Sequence, residues 1–462
     1  MFPDLGRGAG EHFFPDISAI YPMNKRIYSL LLTPYIILAL VLANSASAVA
    51  QLHPVMREVR EVRVINGETS DTIDEIEVFN IFTENAPKTY NVSGAPRFAI
   101  VGKEKMFYLG IGGVVKATAS YDFGHPIDNG FDFTTSNIPM HIQKGNEGLV
   151  HFNAQSSALN INFVAMPGTA NQIGVYLDAN LTSGKDYGFR LQYAYIKYRG
   201  ITAGYNYSLF SDMAAAPASI DNEGPPGFTA IPHGVVDYAY NINKHWSVAA
   251  GLETPAYSVT TSDETYTVNQ RVPDIPFYAQ YAWDGGNSWV RASGMIRNLL
   301  YHDMVSDRNH NALGWGVKLS GSMGLSSWVT AYYQAAYGKG ISSYFQDTYR
   351  GGLDMMPDAS EPGKLSTVEA WGGYIGLQFN ISPKVFATTT YSHERNYAKR
   401  YDGGAVAWGE QYKYAQYALA NVIWKITPIV HTGVEYIYGR RVNHSGEGAH
   451  DNRIQAMLRI AF

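Results

Sequence analysis

Residue types that can carry out acid–base chemistry stand next to each other at Ser392, His393 and Glu394. Neighbouring residues of a strand point to opposite faces, so these three side chains cannot meet as a catalytic triad. Ser382, His393 and Asp402 would meet only through an accident of loop folding. The sequence has no H-E-x-x-H metal pair, no complete phosphate-binding loop and no cysteine. We therefore predict no catalytic residue, no metal site and no cofactor.

Charged residues that share a face at period two offer a different chemistry, the electrostatic selection of ions. On the inward face we place the bases Lys116, Arg190, Arg291, Arg297, Lys318, Arg453 and Arg459 and the acids Asp122, Asp178, Asp237, Glu253 and Glu435. Arg291 and Arg297 lie about 20 Å apart along one strand face. A small basic excess around water favours anions. The alternative is that these bases pair with the acids and set no selectivity.

The last eleven residues, N-R-I-Q-A-M-L-R-I-A-F, show which elements would position these charges. Ile454, Leu458 and Ile460 alternate with Arg453 and Arg459, so one face of the strand is apolar and the other is charged. Such a strand suits a wall with lipid outside and water inside. The terminal aromatic residue, Phe462, is predicted to be the signal that the barrel-assembly machinery recognises.

The composition agrees with a membrane barrel. The chain has 462 residues, of which 16% are charged and 13% aromatic, and its 34 tyrosines and 45 glycines suit interfacial girdles and tight turns. The formal net charge of −5 is too small to indicate a nucleic-acid partner.

The start of the chain predicts export. A basic stretch at 23–26, an apolar stretch at 27–42 and small residues up to Ala48 or Ala50 predict a signal peptide at 23–50. The alternative, a membrane anchor, would need a run of about 20 apolar residues. Residues 1–22 are expected to be a misassigned extension. Residues 51–97 are charge-rich and are predicted to form a periplasmic extension.

From residue 98 onward, period-two segments predict one all-β domain at 98–462: a transmembrane antiparallel β-barrel. Tight turns alternate with long polar loops near 124–147, 210–232, 258–273, 300–310, 338–366, 396–408 and 442–450. Short periplasmic turns and long external loops fit an outer-membrane barrel, and counting the segments gives about sixteen strands. A soluble sandwich or propeller, the alternative, needs no such asymmetry.

The third long loop is only mildly charged and is rich in proline and glycine. We predict that it folds into the lumen and constricts it, and that an ordinary surface loop is the alternative. Its candidate constriction residues are Phe210, Asp212, Pro217, Asp221, Glu223 and Pro225.

Several segments together resemble the DcaP-like family of trimeric outer-membrane porins, relatives of the phosphate-selective porins. They are A-G-Y-N-Y-S-L-F-S-D at 203–212 with D-N-E-G-P-P at 221–226, G-W-G-V at 314–317, G-K-G-I-S-S-Y at 338–344, and V-E-Y-I-Y-G-R-R at 434–441 with N-R-I-Q at 452–455. The resemblance covers about residues 107–462 and implies a homotrimer of sixteen-stranded barrels that passes small, often anionic, solutes. Members can carry an N-terminal coiled coil, but residues 51–97 have too few heptads for one.

The expected function is passive diffusion of small hydrophilic solutes through an outer-membrane pore of a Gram-negative bacterium. A substrate-specific channel with a saturable phosphate or dicarboxylate site is the first alternative, and a barrel enzyme or adhesin is the second. The expected partners are outer-membrane lipid and lipopolysaccharide, the assembly machinery, and two further copies of the chain.

Overall fold

The computed structural model describes residues 63–66, 75–90, 95–404 and 406–462. The predicted signal peptide and the segment before it lie outside the described residues, and the 51–97 extension is described in part. The strands are β1 (Arg63–Asn66), β2 (Phe98–Val101), β3 (Phe107–Gly124), β4 (Gly148–Asn153), β5 (Ala158–Ala165), β6 (Ile173–Ser183), β7 (Asp186–Tyr198), β8 (Ile201–Tyr207), β9 (Pro232–Asn241), β10 (Trp246–Glu253), β11 (Thr265–Thr267), β12 (Ile275–Trp283), β13 (Ser288–Asp303), β14 (Arg308–Gly324), β15 (Val329–Lys339), β16 (Met355–Pro357), β17 (Leu365–Thr367), β18 (Glu369–Asn380), β19 (Val385–Asn396), β20 (Tyr412–Lys425), β21 (Val430–Asn443) and β22 (Gly448–Ala461).

The helical elements are short. One α-helix, α1 (Glu75–Asn85), precedes the barrel, and single 3-10 turns lie at Lys103–Lys105, Thr135–Asn137, Met213–Ala215, Asp284–Gly286, Ser342–Tyr344 and Trp408–Glu410. Among the described residues, no helix is long and apolar enough to cross a membrane.

The wall is a closed antiparallel barrel of sixteen strands, as the sequence predicted. β4 and β5 are two pieces of one wall strand, because both pair with β3. β11 similarly extends the position of β12, since both pair with β13. The barrel closes where β22 pairs with β3, from Asp451 opposite Gly124 to Ala461 opposite Val114.

Alternation along the strands separates lipid-facing from inward-facing side chains. Val115, Val317 and Ile375 are more than half exposed on the outer face, whereas Lys116 and Lys318 next to them are buried inside. This arrangement is favourable because apolar side chains on the outer face contact lipid, whereas polar side chains face the polar interior. Two register shifts between β6 and β7, near Asp178 and Asn180, interrupt the alternation locally.

The connections differ in length as predicted, with two corrections. The loops expected near 300–310 and 442–450 are four-residue turns at 304–307 and 444–447, because the polar residues on either side continue the strands β13, β14, β21 and β22. On the opposite rim, Arg199 and Gly200 both have positive φ values, 48° and 83°, which suits a two-residue hairpin turn.

Candidate functional site

The third loop (208–231) turns into the barrel and lies against inward-facing side chains of the far wall. Glu435 of β21 accepts hydrogen bonds from the backbone N–H groups of Ile220 and Asp221, each at 2.8 Å. The Nζ of Lys116 donates to the carbonyl of Ile220 at 2.7 Å. Asn421 of β20 donates to the carbonyl of Ala218 at 2.9 Å. Buried hydrogen bonds to charged groups are strong, so the middle of the loop is held inside the lumen.

The start of the third loop is fixed to the opposite wall. Asp212 accepts hydrogen bonds from Trp289 Nε1 at 3.0 Å and from Ser320 Oγ at 2.8 Å. Phe210 is fully buried in a cluster that includes Tyr344 and Phe345. Two predicted residues serve packing and turn formation: Pro217 packs against Gly376, and Pro225 accepts a backbone hydrogen bond from Phe228 at 3.0 Å.

Two further loops join the third loop in the lumen: the first loop (125–147) and the sixth loop (340–368). Asp221 accepts a hydrogen bond from the Phe133 N–H at 2.9 Å, linking the third loop to the first. Asp347 accepts from Thr135 Oγ1 at 2.6 Å and from the Ser136 N–H at 3.0 Å, linking the sixth loop to the first. Burial raises the pKa of Asp347.

Four charged side chains lie within electrostatic reach of the Tyr349 hydroxyl in the sixth loop: Arg190, Arg350, Asp132 and Glu223. We call these four residues the charged ring. The guanidinium of Arg350 lies 4.9 Å from the centre of the Tyr349 ring, and that of Arg190 lies 5.3 Å from the centre of the Phe131 ring. Arg190 and Arg350 are exposed, and both acids keep part of their surface accessible. The ring therefore brings bases and acids together at solvent-accessible positions.

The acids of the charged ring hold their protons more tightly than usual. Burial, together with the neighbouring Asp221 carboxylate, raises the pKa of Asp132 to about 6. Burial and the carboxylates of Asp132 and Asp221 raise the pKa of Glu223 well above its ordinary range. A carboxyl group with a raised pKa takes up its proton at a higher pH than usual, so these two acids oppose the arginines less as the pH falls.

Arg297 is placed inside the wall but does not face open water. Its Nε lies 3.0 Å from Asp274 and its Nη1 lies 3.3 Å from Asp354, and all three side chains are fully buried. It also donates to the carbonyl of Gly340. Arg297 therefore neutralises two acids and holds the sixth loop.

Other predicted lumenal bases also have partners. Lys318 donates to Thr229 Oγ1 at 3.3 Å, and its Nζ lies 5.4 Å from the Phe210 ring. Arg291 donates to Gln280 at 2.8 Å and lies 3.6 Å from Asp212. The guanidinium of Arg459 lies 5.5 Å from the Tyr90 ring.

The remaining predicted residues are buried on the inner face. Arg453 and Asp122 form an ion pair at 2.6 Å. Glu253 accepts from the Leu209 N–H at 2.9 Å, Asp178 from the Tyr176 hydroxyl at 3.3 Å, and Asp237 from the Thr202 hydroxyl. Most of the predicted set thus supports the inner loops, and Arg190 is a member that lies exposed in the charged ring.

A segment that the sequence analysis did not predict, from α1 to Tyr90, crosses one end of the lumen. This end is opposite the one at which the third loop enters. Phe82 and Asn85 of α1 pack on the inner wall: Asn85 Nδ2 donates to Asn162 at 2.7 Å, and the Tyr195 hydroxyl donates to the Asn85 carbonyl at 2.7 Å. Residues 86–90 follow, and we call them the strap. The ring of Tyr90, at the end of the strap, makes an edge-to-face contact with Phe386 of β19, with 5.9 Å between the ring centres.

The strap therefore joins two distant parts of the wall. Asn162 and Tyr195 belong to β5 and β7, whereas Phe386 belongs to β19, near the other side of the barrel. Five extended residues span about 17 Å, enough to cross much of a sixteen-stranded lumen. A sequence signal for α1 exists: Val78, Phe79 and Phe82 follow helical spacing, and all three are buried.

Among solved structures, the chain is similar in fold to the outer-membrane channel DcaP of Acinetobacter baumannii. That structure has a TM-score of 0.65 and 20% sequence identity, and the match covers 78% of this chain and 99% of DcaP. An anion-selective porin from Comamonas acidovorans matches at a TM-score of 0.49 and 11% identity, over 77% of this chain and 100% of its own. OmpF of Salmonella typhi matches at a TM-score of 0.48 and 13% identity, and the match covers 77% of this chain and 98% of the OmpF chain. A search of curated protein sequences finds no match.

A family comparison based on sequence agrees with the fold. The profile of the porin subfamily matches residues 163–457, which span the third loop, the sixth loop and most of the wall. The DcaP likeness shows the same fold, and the family match together with that fold indicates the outer membrane of a Gram-negative bacterium. The profile thus covers more than half of a chain that folds as a closed sixteen-stranded wall with loops inside it. The chain therefore belongs to the porin subfamily.

Proposed function

We propose that this porin lets small hydrophilic solutes diffuse passively through a pore that the third loop narrows. The observation that carries the proposal is the attachment of 208–231 to opposite walls, through Asp212 on one side and Glu435 on the other. A loop that is held at its start and at its middle inside a sixteen-stranded lumen reduces the cross-section of that lumen. In this proposal the first and sixth loops, joined through Asp347, fill further space around it.

A modest preference for anions accompanies this proposal. In the charged ring, Arg190 and Arg350 keep their charge, while the raised pKa values of Asp132 and Glu223 weaken the negative side. Low-dielectric walls focus the resulting field into the opening. The preference is assigned to the charged ring rather than to Arg297, whose charge is balanced by Asp274 and Asp354.

The proposal includes a homotrimer that is inserted by the barrel-assembly machinery and surrounded by lipid and lipopolysaccharide, and it includes no enzymatic activity. The similarity in fold to the outer-membrane channel DcaP supports a channel role. The trimer rests on the family resemblance alone.

Single-channel recording in a planar bilayer tests the proposal. Current that rises in proportion to salt concentration supports a general diffusion pore, and a reversal potential of the anion-selective sign supports the assigned preference. Current that saturates, or that is blocked by phosphate or a dicarboxylate, would instead establish the substrate-specific channel. The two exposed arginines beside Tyr349 are the observation that favours this alternative. Hydrolysis of ester or peptide substrates by the purified protein would contradict the non-enzymatic assignment.

A further inference from the structure

In the wall sector formed by β19 to β22, the outward faces of β19 and β21 carry basic residues at the end of the barrel from which the third loop enters. Arg395 lies near the end of β19 and Arg440 near the end of β21. We call these two residues the basic rim. The outward positions of these strands include no Asp or Glu, since Glu394, Glu435 and Asp451 are buried on the inner face. The surface of this sector is therefore positive at one level.

Aromatic rings hold Arg395 of the basic rim in place. Trp371 stacks on His393 at 4.9 Å, and His393 stacks on Tyr414 at 5.5 Å. The guanidinium of Arg395 lies 5.0 Å from the Tyr397 ring and 5.8 Å from the Tyr414 ring. Cation–π contacts fix the plane of a guanidinium and leave its N–H edge available to an acceptor.

The basic rim lacks acidic partners within the described part of the chain. The ion pairs found there include none to Arg395 or Arg440. The Nε of Arg395 is shielded from water and has no hydrogen-bond acceptor. Glu369 on the neighbouring strand instead accepts a hydrogen bond from the Tyr337 hydroxyl. A buried donor without an acceptor is unfavourable, so the described part of the chain leaves the Arg395 guanidinium short of hydrogen-bond partners.

The position of the rim along the wall fits the headgroup level of a membrane. Arg395 lies ten residues from Val385, the other end of β19. Ten residues extend about 33 Å along a strand, or about 25 Å along the membrane normal at a tilt near 40°, which equals the height of the apolar band. Tyr391 and Tyr438 lie one or two outward positions closer to the apolar band, where interfacial aromatic residues are expected. The rim therefore faces lipid headgroups rather than acyl chains.

We propose that Arg395 and Arg440 form a binding site for the phosphate groups of the outer-leaflet glycolipid, lipopolysaccharide. A guanidinium group can bind two phosphate oxygens at once, and the contacts of Arg395 with the Tyr397 and Tyr414 rings restrict the orientation of its guanidinium. Arg395 and Arg440 are two strands apart and offset by one outward position, about 12 Å, so they bind separate phosphates of one headgroup. The proposal relies on the outer-membrane orientation and is independent of how the pore selects solutes.

Lipid binding to the full-length mature protein, purified in detergent, tests the site. Native mass spectrometry measures binding of three probes: lipid A with both phosphates, fully dephosphorylated lipid A, and phosphatidylethanolamine. The variant Arg395→Gln/Arg440→Gln removes two charges, and we expect its affinity for phosphorylated lipid A to fall on the order of 30-fold. Lys384→Gln, in the turn at the other end of β19, is the matched control and should bind like the wild type.

The wild type provides a second arm that does not depend on the variant folding. We expect it to prefer phosphorylated over dephosphorylated lipid A by a similar factor. Equal binding of the two lipids, or equal binding by the wild type and the double variant, would overturn the site. Loss of the oligomer in the double variant with lipid binding intact would also overturn it and assign the rim to a contact between copies. Conductance should stay unchanged in the double variant, so this test is separate from that of the pore.

Discussion

Arg453 and Asp122 form a two-pronged ion pair across the seam where the last strand of the barrel meets the first. The Nε of Arg453 lies 2.6 Å from Asp122 Oδ1, and Nη2 lies 2.7 Å from Oδ2. The two residues are direct partners in the β22–β3 register, and both are buried. Arg453 also donates to the carbonyls of Asn129 and Asp132 in the first loop, so one guanidinium joins the seam to the lumen loops.

We predict that Arg453→Ala weakens barrel closure. The change leaves the Asp122 carboxylate buried without its base, which costs about 3–5 kcal/mol in other proteins. The measurement is the temperature at which the folded band disappears in a denaturing gel. Arg190→Ala removes an exposed inward arginine and serves as the control. Equal transition temperatures for Arg453→Ala and the wild type would show that closure does not depend on the pair.

Phe462→Asp is predicted to block assembly. The backbone N–H and carbonyl of Phe462 exchange hydrogen bonds with Gly113, each at 3.0 Å, and the ring is about half exposed toward lipid. A carboxylate there costs about 0–4 kcal/mol, depending on depth, and removes the aromatic signal. Phe462→Tyr, which keeps the ring, is the control. Surface labelling at wild-type levels in the Asp variant would refute the prediction.

Deleting residues 214–218 from the third loop should increase single-channel conductance. The deleted residues lie between the anchors at Asp212 and Asp221, so the shortened loop is pulled toward one wall. Deleting residues 144–146, at the exposed tip of the first loop, is the control and should leave conductance unchanged. Unaltered conductance in an intact oligomer of the third-loop variant would place this stretch away from the narrowest point.

Lowering the pH should increase the preference for anions. Asp132 has a raised pKa of about 6, so it is mostly charged above that value and becomes neutral as the pH falls through it. The charge of Arg190 and Arg350 is then less opposed. Reversal potentials in a salt gradient, measured between about pH 7.5 and pH 5, report the change. Asp132→Asn should flatten the dependence. A shift toward cations on acidification would contradict the assignment.

Releasing the strap should also raise conductance. The double variant Asn85→Ala/Tyr90→Ala removes the hydrogen bond to Asn162 and the ring contact with Phe386, so residues 86–90 lose side-chain attachments at both ends. Glu77→Ala, on an exposed part of α1, is the control. If both variants conduct like the wild type, the strap leaves the solute path open.

The wall could be predicted because its physical cause acts on every strand. Lipid on one side and polar groups on the other impose alternation that a single strand such as β22 displays. The same reasoning overestimated the loops at 300–310 and 442–450, since strands that extend beyond the membrane carry polar residues on both faces. His302 and Arg308, for example, belong to β13 and β14.

The inner site was less accessible to sequence reasoning, because its partners are distant in the chain. Period two places Arg297 inside, but nothing in its neighbourhood reveals that Asp354, in the sixth loop, lies against it. Asp132 and Arg350 belong to loops without periodicity, so face assignment could not reach them. The strap was missed because a charge-rich segment was interpreted as solvated, although Phe79 and Phe82 offered a helical signal.

The short strand β2 limits how far the last strand can extend along β3 when the barrel closes. β5 occupies one edge of β3 along residues 107–114, so β2, which pairs with Tyr108–Ile111, occupies the edge on which β22 closes. Phe462 pairs with Gly113, and its carbonyl oxygen and Pro96 both lie next to Gly112. β22 therefore cannot slide further along β3 without displacing β2. A slip of one residue would turn every lipid-facing side chain of β22 inward, and β2 acts as the stop that prevents it.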